Sequence, residues 1–142
     1  MTKIDFYILS DRAKSDRFQL ACRLSEKAWN AGHRVCINTE SEQDAAHMDT
    51  LLWTFNDQSF IPHDPIDNPS PGITPIVIAS KLNKTDEHDI LINLASTIPD
   101  CFSQFERLLE PVDKDATNRA ASRERYRYYR DCGYTINNHE IN

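Results

Sequence analysis

Only three glycines occur in 142 residues, Gly32, Gly72 and Gly133, and no two are close together. A dinucleotide or P-loop site needs several glycines at one strand-to-helix turn, so that backbone N–H groups can approach phosphate. Neither kind of phosphate cradle is written here. No apolar run approaches the roughly 20 residues of a membrane span. The four cysteines, Cys22, Cys36, Cys101 and Cys132, lie far apart with no CxxC, which predicts reduced thiols. The five histidines show no i, i+4 pair and no cysteine partner at ligand spacing, so no metal site is expected. Basic charge is scarce as well: 16 Lys and Arg against 22 Asp and Glu leave −6. That balance argues against an extended phosphate-binding surface. Nothing pairs two carboxylates for acid–base work. Ser10 and Asp11 close the first strand at the usual active-site edge of an α/β fold, yet they also suit ordinary helix capping. No catalytic constellation emerges, and no cofactor is expected.

What is present is an alternation of strand and helix patterns. The N-terminal MTKIDFYILS enters a strand directly (3–9), with both faces largely apolar as in a central strand. It has no signal-peptide pattern, and the expected location is cytoplasmic. A helix is expected over about 16–31, capped by Ser15 or Asp16, facing inward through Phe18, Ala21, Cys22, Ser25, Ala28 and Trp29, and ended by Gly32. RVCIN (34–38) reads as a strand. Ser41 with Asp44 opens a helix through Leu52, buried through Ala45, Met48 and Leu52. Residues 62–75 hold five of the seven prolines and read as a loop. PIVIA (75–79) and ILINL (90–94) read as buried strands. CFSQFERLL (101–109) reads as an amphipathic helix through Phe102, Phe105, Leu108 and Leu109, with Pro111-Val112 a brief edge strand. A last helix runs from about Asp115 to Cys132 and stops at Gly133. The pattern predicts one domain over 1–142. Its fold class is three-layer α/β, Rossmann-like, with a largely parallel sheet flanked by helices and no nucleotide site.

Two stretches resemble binding surfaces. LLWTFNDQSFIPH (51–63) places Leu51, Leu52, Trp53, Phe55, Phe60, Ile61 and Pro62 within thirteen residues. A helix buries one face, and Trp53 is turned about 100° from Leu52. The aromatics either fold back under the proline loop as core or anchor a partner. RERYRYYR (123–130) lies in a segment, 119–130, with five arginines and one glutamate, a net +4 within a chain of −6. On a helix, Arg119, Arg123, Tyr126, Arg127 and Arg130 fall within roughly 100° of arc. Ala121, Arg125, Tyr128 and Tyr129 fall on the other side, with Arg125 expected to snorkel outward. The stripe is either a solvated charged face or a site for an acidic ligand that carries an apolar or aromatic group. Direct single-strand DNA binding through the same arginines, with Tyr126 stacking, is a further reading that the net charge disfavours.

FYIL, LLWTFNDQSFIPH, DILINL (89–94) and RERYRYYRDCGY together resemble the chi subunit family of bacterial DNA polymerase III, over nearly the whole chain. The resemblance implies a Rossmann-like fold without nucleotide binding and a non-catalytic replication adaptor with two faces. One face would hold the psi subunit of the clamp loader, and its positions match Trp53, Phe60 and Pro62. A DNA-repair helicase would compete for the same ridge. The other face would hold the acidic C-terminal tail of single-stranded DNA-binding protein, which ends in aspartates, a proline and a terminal phenylalanine. Its positions match Arg119, Arg123, Tyr126 and Arg127. Arginine stands at 119 and 127 where some relatives use lysine, which keeps the charge and favours bidentate carboxylate contacts.

Overall fold

The computed structural model describes residues 1–55, 62–66 and 75–142. Seven strands form one sheet: β1 (Lys3–Leu9), β2 (Val35–Thr39), β3 (His63–Pro65), β4 (Ile76–Ser80), β5 (Ile90–Asn93), β6 (Arg107–Val112) and β7 (Ile136–Ile141). Their order is β3-β4-β2-β5-β6-β1-β7, and every pairing is parallel. Parallel strands in mid-sheet are covered on both faces, which is why VCINT and ILIN are buried at every position.

Among the described residues three helices cover the sheet: α1 (Arg17–Asn30), α2 (Glu42–Thr54) and α3 (Ala116–Asp131). Helices α1 and α2 bury Leu20, Ala21, Met48 and Leu52 against Leu9, Ile37, Ile78, Ile92 and Leu109. On the opposite face Tyr129 of α3 packs with Ile4, Phe6, Leu91, Phe102, Phe105 and Leu108. Alternate residues of the same strands thus feed two cores, giving the three layers expected from the sequence.

The helix ends are set locally. Asp16 accepts the Gln19 N–H at 2.9 Å while the Gln19 side chain accepts the Asp16 N–H at 3.0 Å, a full capping box. Ser41 and Asp115 cap α2 and α3 by the side-chain half of that exchange alone, accepting the N–H groups of Asp44 and Asn118. Gly32 and Gly133 follow the C-caps of α1 and α3 at φ +87°, the left-handed conformation that ends a helix at least cost with glycine.

The structure corrects the reading of 101–109. Asp100–Gln104 is a single 3-10 turn and Arg107–Val112 is a strand. That strand is central, between β5 and β1, so Pro111-Val112 is not an edge. Spacing of three among Phe102, Phe105 and Leu108 suits a helix, but it suits a 3-10 turn running into a strand equally well. The Glu106 N–H turns to the carbonyls of His88 and Asp89 (both 3.0 Å), which commits the chain to the sheet. Two strands carry little signal of their own. β3 is three residues long inside the proline-rich segment, whose residues 67–74 lie outside the described residues. β7 is the polar, mostly exposed INNHEI, bonded in parallel to β1.

Candidate functional site

Helix α3 faces inward through Ser122, Arg125 and Tyr129. That setting turns Arg119, Arg123, Tyr126, Arg127 and Arg130 to one flank, where they line a groove of roughly 460 Å³. Its floor is apolar and comes from three strands: Phe6 and Ile8 of β1, Val112 of β6, with Asn138 of β7 at the side. The Tyr126 ring meets Phe6 edge-on at 5.1 Å, and Asn138 Nδ2 donates to the Tyr126 hydroxyl at 3.5 Å. All five stripe residues of the sequence reading come together here.

The arginines differ in what else they do. Arg119 Nε donates to the Asp113 carbonyl at 3.0 Å and its Nη2 to the Leu9 carbonyl at 2.9 Å. It therefore ties α3 to the carboxyl ends of β1 and β6 as well as lining the groove. Arg127 meets Glu124 at 3.0 Å and Arg130 meets Asp131 at 3.2 Å, all four exposed. Such exposed pairs are worth about 0–1 kcal/mol, so both guanidinium groups are readily taken by a better partner. Arg123 is exposed and makes no side-chain hydrogen bond or ion pair among the described residues.

Arg125 overturns the expectation that it snorkels outward. It is 8% exposed, its Nε lies 3.1 Å and 3.2 Å from the two oxygens of Glu110, and its Nη1 donates to the Ser96 carbonyl. Glu110 also accepts the Tyr129 hydroxyl at 2.6 Å and Asn93 Nδ2 at 3.3 Å, and Asn93 accepts from Asn38. Burial pushes the Glu110 carboxyl above its ordinary range, with the Arg125 charge as the main counterweight; burial raises the Tyr129 hydroxyl too. No sequence pattern pairs residues 110 and 125, because the partner lies on a strand.

At the carboxyl edge of β1 and β6, where open α/β sheets usually bind ligands, side chains bridge the crevice. Besides Arg119, Arg17 donates to the Leu94 carbonyl and lies 3.8 Å from Asp113, and Lys114 Nζ donates to the Ala13 carbonyl. The cysteines are free thiols, and burial pushes the Cys22 thiol up to about 12.

At the end of α2, Leu52 is fully buried while Trp53 is 48% exposed, so the two neighbours face opposite ways. The Trp53 ring lies 4.7 Å from that of His63, which follows the half-buried Pro62. The structure thus brings Trp53 beside the 62–63 segment; Phe60 lies outside the described residues.

A family model described as "DNA polymerase III chi subunit, HolC" matches residues 1–137. The chain belongs to the DNA polymerase III chi subunit family. Its similarity to the DNA polymerase III subunit chi of Pseudomonas aeruginosa is 33% identity, covering 99% of this chain and 98% of that one. The subunits chi of Haemophilus influenzae (33%, covering 96% and 95%) and Escherichia coli (30%, covering 96% and 97%) are similar at comparable length. Membership gives this chi-family chain a role in DNA replication as a polymerase III accessory subunit, working through protein–protein contacts.

Proposed function

We propose that this chi-family chain is a non-catalytic, cytoplasmic adaptor, whose α3 groove holds the acidic C-terminal tail of single-stranded DNA-binding protein. The observation that carries the reading is the groove itself, with Arg119, Arg123, Arg127 and Arg130 around an apolar floor of Phe6, Ile8 and Val112. Carboxylates suit guanidinium forks, and a terminal phenylalanine suits a floor of that kind with Tyr126 beside it. Several charge-assisted contacts plus one buried ring, less the cost of ordering the peptide, give roughly −8 kcal/mol, near micromolar.

The half-exposed Trp53, with Pro62 and Phe60, is proposed as the anchor for the psi subunit or for a repair helicase in its place. Exposed aromatics of this size commonly dominate interface energy. Direct single-strand DNA binding is the weaker reading: of the two aromatics that line the groove, Phe6 is buried in its floor and Tyr126 alone stands at its side, and the chain is −6 overall, where sequence-tolerant binders stack successive bases in a basic channel. Titration with an acidic peptide ending in Pro-Phe, and separately with oligo-dT, tests the choice. The adaptor reading expects saturable binding of the peptide, and binding of the oligonucleotide alone overturns it.

A further inference from the structure

The flank of α3 opposite the arginine groove carries the reverse charge. Tyr128 is 50% exposed there, a second half-exposed aromatic besides Trp53. Its ring stands 6.5 Å from that of Phe102, at 70°. Between α3 and the 96–102 segment runs a groove of roughly 560 Å³, walled by Ile98, Pro99, Phe102, Ala121 and Tyr128. Ala121, Glu124 and Tyr128 share its side because they are spaced by three and four along the helix.

The polar part of this groove is acidic. Asp100 is exposed on its rim and makes no side-chain hydrogen bond or ion pair among the described residues. Glu124 stands opposite, held among the described residues only by the exposed contact to Arg127 over the crest of the helix. The one cation among the described residues that reaches the groove, Arg125, is already matched by the buried Glu110 at 3.1 Å. A cation is favoured here twice over, by the two carboxylates and by the half-exposed ring of Tyr128. An anion meets repulsion, and a purely apolar group would desolvate the carboxylates with no return.

We propose that this second groove binds an arginine or lysine side chain, flanked by an apolar residue, of a partner peptide. α3 then divides two sites of opposite polarity, one for an acidic segment and one for a basic segment.

The test is a titration of the full-length 15N-labelled chain with acetyl-Leu-Arg-Leu-Arg-amide and with its citrulline counterpart, which has nearly the same shape and no charge. The expected result is saturable amide shifts confined to residues 96–102 and 121–128, with the citrulline peptide at least fivefold weaker. Tyr128→Ala, and separately Asp100→Asn with Glu124→Gln, should each weaken binding at least fivefold. The second variant changes exposed carboxylates alone, so it answers even where the first disturbs folding. Equal binding of the citrulline peptide, shifts spread over the surface without saturation, or saturation of the same amides by self-association in the absence of peptide would overturn the proposal. A parallel titration with the acidic peptide reports on the arginine groove alone, so failure there leaves this outcome readable.

Discussion

The carboxylate of Glu110 and the guanidinium of Arg125 meet in a buried ion pair, 3.1 Å and 3.2 Å between Nε and the two oxygens. With the Tyr129 hydroxyl at 2.6 Å on the same carboxylate, it fixes the rotation of α3 about its axis, and so decides which side chains face the grooves. Removing one partner leaves a buried charge unmatched, so Glu110→Leu alone should cost about 3–5 kcal/mol. Replacing the whole set with Glu110→Leu, Arg125→Met and Tyr129→Phe should return stability to within about 2 kcal/mol of the native chain. Urea denaturation of the three proteins measures both steps. A triple variant no more stable than Glu110→Leu would show that the pair contributes more than it costs.

Asp5 in β1 accepts from Arg107 Nη2 at 2.7 Å and lies 3.0 Å from His139 Nε2. Burial alone would raise its carboxyl, but the bonds and charges of Arg107 and His139 outweigh burial and hold it below the ordinary value. A folded-state pKa below the unfolded one gives stability that is complete above the unfolded value, about 4, and lost as pH falls through the folded value. Asp5→Asn should therefore flatten the acid limb of stability below about pH 4. Urea midpoints across that range check it, and an unchanged slope counts against the cluster.

Arg119 and Arg123 should separate folding from binding. Arg119→Ala removes donors from the Leu9 and Asp113 carbonyls, so it should cost about 1–3 kcal/mol of stability besides any loss of peptide affinity. Arg123→Ala should leave the urea midpoint unchanged and weaken binding of the acidic peptide by about tenfold, close to 1.4 kcal/mol. Arg127→Glu should weaken it further by adding repulsion. Equal stability loss at 119 and 123 would contradict the division of roles.

The neighbours Leu52 and Trp53 give the matching contrast at the other surface. Leu52 is fully buried, so Leu52→Ala should cost about 2–5 kcal/mol. Trp53→Ala should change folding stability by less than about 1 kcal/mol. Thermal melts of the two variants decide it. A loss of several kcal/mol at Trp53 would make that residue core and remove the ridge as an anchor.

The arginine flank was legible in advance because helical periodicity is a local property, and Arg119, Arg123, Tyr126 and Arg127 sit on one helix. The groove floor was not legible, since Phe6, Ile8, Val112 and Asn138 come from strands that only the sheet order brings together. Arg125 was misread for the same reason: an arginine on an inward face reads as a snorkelling side chain until a buried carboxylate appears opposite. The cap at Ser41, the α1 cap to within one residue (Ser15 or Asp16) and the glycine stops were readable because each involves residues a few positions apart. The 101–109 segment failed because three-residue spacing is shared by helix and 3-10 turn, and long-range pairing with β1 and β5 chose the strand. β7 failed because an edge strand with polar outward residues has no apolar alternation to read.

Calorimetric titration with the acidic tail peptide, with and without its terminal phenylalanine, tests the adaptor reading most directly. The account predicts near-micromolar binding of the intact peptide, weaker as salt rises because exposed pairs are screened beyond about 8–10 Å. It predicts that deleting the phenylalanine costs as much as removing one arginine, about tenfold. A silent phenylalanine deletion, with affinity following peptide charge alone, would contradict it and leave α3 with a solvated basic face.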